Sequence, residues 1–277
     1  MPTTLTVTAA RDIDKRHEEV FHDGWADAID PADVLVDESW TAATAPEHRW
    51  IRAQLGDLRG ARVLDIGCGA GEASVWFAKQ GADVTACDIS SGFLRLVERV
   101  AQAHGVKVRT AAVDADGLGL PENSFDIVYC GNLLHHVDLD RALRAACRCL
   151  RPGGVFVSWD PLRHNPIINV YRRLATEVRT KDERPLSVRD LGTFHRHFAE
   201  VRTGFFWFTT LWIFLRFYFV ERVHPNADRY WKRIIREHAR LAPLHERLEA
   251  WDRWLLGCFP FLGRYCWNMA VCARKAA

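Results

Sequence analysis

Asp65, Gly67, Gly69 and Gly71 stand at alternate positions in the run VLDIGCGAG, and two further acids, Asp88 and Asp114, close later apolar runs. Glycines so spaced let the backbone turn tightly and approach a ligand, and a helix starting behind them offers free N–H groups. An acid about twenty residues past such a turn can accept both hydroxyls of a ribose. At Asp114 a carboxylate could receive the exocyclic amine of a base. The dinucleotide fingerprint needs its third glycine three positions after the second; here that position is Glu72, which disfavours NAD. Any one of these acids could equally cap a helix or sit solvated in a loop. Three of them in register with a glycine turn make that bland reading much weaker.

A second group of residues could move protons. His135 and His136 follow the fourth apolar run, and Asp160 and His164 follow the fifth. Core or merely hydrogen-bonding histidine is the alternative for each His, and Asp160 could cap what comes next. The eight cysteines include no CxxC pair, and Cys147 and Cys149, two apart on an expected helix, do not share a face, so no metal site is expected. The N-terminus lacks the apolar stretch of a secretion signal, so reduced thiols and a cytoplasmic location follow as expectations. A formal charge of +2 over 277 residues, with no long basic run, argues against nucleic acid.

These residues need a scaffold, and the alternation of elements names it. From residue 61, short β-rich runs alternate with helical stretches: RVLDIG, DVTACD, VKVRTAAV, FDIVYCG and VFVSWD as strands, with helices closed by Gly81 and Gly105 between them. Continuous apolar strands alternating with helices predict βαβ units on a parallel sheet, an α/β doubly wound fold. Ligands bind such sheets beyond the carboxyl ends of the strands, where the strand order reverses. Before the sheet, residues 11–30 read as an amphipathic helix. A second helix is predicted at TAPEHRWIRAQL, with Thr44 and Glu47 at capping-box spacing and Pro46 in the first turn.

The ordered runs VLDIGCGAG, ACDIS, VDADGLGLPENSFDIVYCGNLLHHV and CLRPGGVFV resemble the motif set of the class I S-adenosylmethionine-dependent methyltransferases, in the branch that includes the ubiquinone and menaquinone biosynthetic enzymes. The resemblance covers roughly residues 60 to 160. It implies a Rossmann-like seven-stranded sheet with the last strand antiparallel, and S-adenosyl-L-methionine as cofactor. Gly67, Cys68, Gly69 and Gly71 would line the methionyl and ribose region, with Asp65 ordering the turn. Asp88 would hold the ribose hydroxyls and Ile89 pack on the adenine. Asp114 and the backbone of Ala115 would read the adenine edge, and the backbone of Asn132 would meet the methionine ammonium. One residue extra between Asp114 and Pro121 makes Asp116 a rival for the adenine contact. Methyl transfer is an in-line displacement in which placement does much of the work. A base is needed only where the nucleophile carries a proton of high pKa, and His136, His135 and Asp160 are the candidates.

Residues 1–58 read as an N-terminal helical lid, 59–204 as the cofactor-binding core, 205–263 as a helical insertion, and 264–277 as the final strand. The stretch after the fifth strand is similar to one in a bacterial subset of these enzymes, so Arg163, His164, Asn165 and Tyr171 are substrate-side candidates, with Trp25 from the lid. Within the insertion, NADRYWKRIIREHARL places Tyr230, Trp231, Ile234, Ile235, His238 and Leu241 on one stripe, and PLHERLEAWDRWLLG does so for Leu244, Leu248, Trp251 and Leu255, with Gly257 as a stop. The sixteen-residue run FFWFTTLWIFLRFYFV is too short to span a bilayer and contains Arg216. It is expected to be the end of the sixth strand followed by a helix packed inside the insertion. A small or lipid-like, largely apolar acceptor follows, methylated at O, N or C. Membrane docking is the less favoured use of the insertion, leaving the protein cytoplasmic or peripheral at the membrane. Another displacement at the sulfonium, either aminocarboxypropyl transfer or ring closure releasing methylthioadenosine, is the alternative, as is a non-catalytic cofactor-binding module.

Overall fold

The computed structural model describes residue 26 and residues 29–115, 119–174 and 184–277. The expected first helix lies almost wholly outside the described residues, as do Trp25 and Asp116. Seven strands form one sheet: β1 (Arg62–Ile66), β2 (Asp83–Asp88), β3 (Arg109–Ala112), β4 (Phe125–Gly131), β5 (Leu150–Pro161), β6 (Glu200–Phe206) and β7 (Asn268–Arg274). Their order is β3-β2-β1-β4-β5-β7-β6. The first five are parallel, and β7 runs antiparallel between β5 and β6.

The helices are α1 (Val36–Thr41), α2 (Pro46–Leu55), α3 (Glu72–Lys79), α4 (Ser91–Ala103), α5 (Leu139–Cys149), α6 (Pro166–Leu174), α7 (Leu191–His197), α8 (Trp212–Phe219), α9 (Tyr230–Arg236) and α10 (His238–Cys258). Strand alternation divides the core. Val63, Ile127 and Val157 meet Trp40, Ile51, Phe77 and Leu96 from α1 to α4. Leu64, Val128 and Phe156 meet Leu143, Phe194 and Phe198 around α5 and α7. Side-chain caps fix several starts, among them α4, where Ser90 accepts from Phe93 N at 3.1 Å, and α5, where Asp138 accepts from Arg141 N at 3.1 Å. Strand order reverses between β1 and β4, so the crevice opens over the carboxyl ends of these strands.

Four local expectations are corrected. The Thr44–Glu47 capping box does not form: α2 starts at Pro46 without a side-chain cap. Thr44 Oγ1 instead donates to Ile234 O at 2.6 Å. The Glu47 carboxylate accepts from Trp207 Nε1 at 3.1 Å and Asn268 Nδ2 at 2.9 Å. Tertiary partners took both side chains, because Glu47 is buried and a buried carboxylate must have its donors. Second, the boundary between the two insertion helices lies at Glu237–His238, and Pro243 sits inside α10. The carbonyl four residues before it belongs to Ala239, which is exposed, so water can replace the missing N–H. Third, Gly257 does not stop α10, which runs to Cys258. Fourth, Trp251 and Trp231 are exposed, and the inner face of α10 carries Leu241, His245 and Asp252.

The run from Phe205 to Val220 divides as its pattern suggests. β6 ends at Phe206, the chain bends at Trp207 with φ of 67°, and Leu211, Ile213, Phe214 and Phe217 pack with Tyr230, Ile234 and Leu241. Among the described residues no helix is long and apolar enough to cross a membrane.

Candidate active site

A cavity of about 870 Å³ opens over the carboxyl edge of the sheet. One half is built from the turn after β1. Gly67, Gly69 and Gly71 hold φ of 69°, 50° and 90°, a region that side chains avoid. A Cβ at Gly67 would also lie 2.6 Å from Leu133 Cδ2. Asp88, at the end of β2, closes the turn by accepting from Gly69 N at 3.0 Å and Ser90 N at 2.9 Å. Asp65 is buried beneath the turn and accepts from Ser74 Oγ at 2.5 Å; burial pushes its carboxyl up to about 7.

Cys68, Ile89, Asp114, Ala115 and Asn132 also line this half. The Cys68 thiol is held well above its ordinary value by burial, so it packs and does not attack. Asn132 adopts φ of 57° and spends its N–H on Trp159 O at 2.7 Å, which leaves its carbonyl as the backbone acceptor.

The proton-handling candidates form a pair. Asp160, fully buried at the end of β5, accepts from the His135 backbone N–H at 3.3 Å and lies 2.9 Å from His135 Nδ1. Burial pushes the Asp160 carboxyl well above the carboxylate range, so the pair takes up a proton more readily than an exposed acid would. The His136 ring lies 4.0 Å from that of His135, and both line the cavity.

The substrate-side candidates divide. Tyr171 and Arg163 line the cavity, whereas His164 is exposed and is not part of its wall. Asn165 is buried and caps α6, accepting from Ile168 N at 2.9 Å and donating to Tyr265 O at 2.6 Å. Its side chain serves the fold.

Sequence reading missed the polar centre of the other half. Trp159 Nε1 donates to Tyr129 Oη at 2.9 Å, and His48 Nε2 lies 3.3 Å from the same oxygen. Burial lowers His48 to about 3, so its ring is neutral, and raises Tyr129 well above its usual value, so the phenol keeps its proton. His48 Nδ1 and Asn268 Oδ1 are buried without a hydrogen-bond partner. Trp40, Ile234, Ile235 and Trp267 supply apolar wall, and Arg229 and Lys232, both depressed by burial, supply charge. Tyr129 could have been found from strand alternation, since it shares the Ile127 face at the strand end. His48 could not, because eighty-one residues separate it from Tyr129.

Residues 64–158 match a family described as a methyltransferase domain. Residues 64–158 thus carry a methyltransferase domain. This domain is similar to the ubiquinone biosynthesis O-methyltransferase of Bordetella avium, 39% identical over 119 residues, which is 42% of this chain and 49% of that protein. The enzyme of the same name from Pseudomonas fluorescens is 34% identical over 131 residues, 46% and 55% of the two chains. The chain thus spans about half the length of the curated relatives it matches. In fold, the chain resembles an S-adenosylmethionine-dependent methyltransferase structure from Mesorhizobium loti, with a TM-score of 0.52 at 21% identity, covering 85% of this chain and 99% of the other.

The site fits S-adenosyl-L-methionine. The φ of 69° at Gly67 disfavours any side chain on the cradle, and Asp88 and Asp114 line it, acceptors suited to a ligand that carries an ammonium, a sulfonium and a ribose.

Proposed function

We propose that the protein is an S-adenosylmethionine-dependent methyltransferase acting on a small, largely apolar acceptor, at a ring hydroxyl. The observation that carries this is the convergence in one cavity of the glycine cradle, Asp88 and His135, whose ring the buried Asp160 holds from behind the cavity wall. When bound, S-adenosylmethionine supplies a methyl group activated by a positively charged sulfur. Asp88 would accept from the ribose hydroxyls, Asp114 and Ala115 would hold the adenine edge with Ile89 beside it, and the Asn132 carbonyl would accept from the ammonium. His135 takes the hydroxyl proton, and Asp160 holds its ring and stabilises the imidazolium that results. Aromatic walls at Trp40, Trp159 and Trp267 favour a planar acceptor, and His48 Nδ1 and Asn268 Oδ1 offer it two polar anchors. The similarity to enzymes named as ubiquinone biosynthesis O-methyltransferases supports oxygen as the atom modified.

The test is incubation of the full chain with S-adenosylmethionine and a panel of phenols and catechols, with the nucleoside product identified by mass spectrometry. S-adenosylhomocysteine is expected; methylthioadenosine would replace methyl transfer by another displacement. Asp88→Ala should weaken S-adenosylhomocysteine binding in calorimetry by about tenfold or more, the scale of a lost charged hydrogen bond. His135→Gln should spare that binding and slow turnover by about a hundredfold or more. Unchanged affinity in Asp88→Ala would remove the ribose assignment.

A further inference from the structure

The outer end of α10 and the turn behind it carry a surface that the cavity does not use. Between residues 250 and 265 five aromatic side chains stand exposed: Trp251 at 59%, Trp254 at 57%, Phe259 at 46%, Phe261 at 62% and Tyr265 at 38%. Trp251 and Trp254 meet edge to face at 5.7 Å, and Phe259 and Phe261 at 6.2 Å. Helical periodicity placed Trp251 inside, yet the interior position went to Asp252, which accepts from Phe208, Thr209 and Thr210. The tryptophans were turned outward as a consequence. A water-exposed surface this rich in aromatic carbon is one that a partner covers.

Charge identifies the partner. The exposed charges in this stretch are Arg253 and Arg264, because its acid, Asp252, is buried. A second copy of the chain would set Arg253 and Arg264 against the same arginines, and the nearest exposed acid on α10, Glu246, lies seven residues before Arg253. Indole and phenol rings, with one apolar and one hydrogen-bonding end, suit the boundary between headgroups and acyl chains, and arginine suits lipid phosphate.

We propose that this face docks on an anionic lipid bilayer, with Trp251, Trp254, Phe259 and Phe261 entering the headgroup layer and Arg253 and Arg264 pairing with phosphates. The inference does not depend on the reaction assigned to the cavity. Flotation of the full chain with phosphatidylcholine vesicles, with and without phosphatidylglycerol, tests it. The protein should float with phosphatidylglycerol vesicles and less with phosphatidylcholine alone, and salt should weaken the binding. A variant carrying Trp251→Ser and Trp254→Ser should lose about tenfold or more in vesicle affinity, and one carrying Arg253→Gln and Arg264→Gln should lose the preference for phosphatidylglycerol. Retained S-adenosylhomocysteine affinity would show the variants folded. On the unaltered protein, brominated phosphatidylglycerol should quench tryptophan fluorescence. Absence of flotation with both vesicles, equal flotation of wild type and the tryptophan variant, or a lipid-free dimer that this variant dissociates would overturn the proposal.

Discussion

At the scale of single residues, Asp65 shows how burial sets chemistry. Its carboxyl is desolvated under the glycine turn, and its value rises from 3.8 to about 7. Because the folded value lies above the unfolded one, its contribution to stability is complete below about pH 4 and fades as the pH rises through 7. A cation bound nearby reverses the preference and expels the proton. Affinity for S-adenosylmethionine should therefore rise between about pH 5 and pH 8, by up to roughly tenfold per pH unit on the acid side. Asp65→Asn should flatten that profile in calorimetry. A flat wild-type profile would mean that Asp65 does not sense the ligand's charge. The Glu47 carboxyl is also raised by burial, but its donors are Trp207 and Asn268 of the fold, so it binds elements together.

At the scale of elements, one buried acid ties the longest helix of the insertion to the end of β6. Asp252 is buried on α10 and accepts from Phe208 N at 3.1 Å, Thr209 N at 2.6 Å, Thr209 Oγ1 at 2.5 Å and Thr210 Oγ1 at 2.8 Å. It thereby joins α10 to the turn that leads from β6 into α8. Removing it orphans several donors at once, and each buried donor without a partner costs about 1–3 kcal/mol. Asp252→Ala should lower stability in urea denaturation by about 3 kcal/mol, with Asp252→Asn intermediate because it keeps one acceptor oxygen. A loss below about 0.5 kcal/mol would mean that apolar packing alone fixes the insertion.

At the scale of the whole molecule, segments distant in sequence close the cavity together. Thr44 bonds to Ile234 of α9, Glu47 to Trp207 and Asn268, and Arg49 pairs with Glu249 of α10 at 2.7 Å. An opening on this side of the cavity has to break the contact of Thr44 with α9 and that of Arg49 with α10. Saturating S-adenosylhomocysteine should slow amide hydrogen exchange in residues 46–55 and 230–236 as well as in the glycine turn. Protection confined to residues 65–72 would show that cofactor binding does not reach the cover.

The sequence by itself determined the cofactor half. The strands, the glycine turn, Asp88 at a strand end and the His135–Asp160 neighbourhood are set by local patterns, since alternation and turn chemistry act within a few residues and the fold places strand ends side by side. Tertiary structure decided the other half of the cavity. His48, Tyr129, Trp159 and Asn268 come from four segments whose meeting no local period encodes. Thr44 and Glu47 left a local cap for distant partners, because a buried polar group goes where its hydrogen bonds can be completed. The same demand drew Asp252 inward and turned Trp251 and Trp254 outward. An amphipathic helix with polar and apolar candidates for both faces is oriented only by what it packs against.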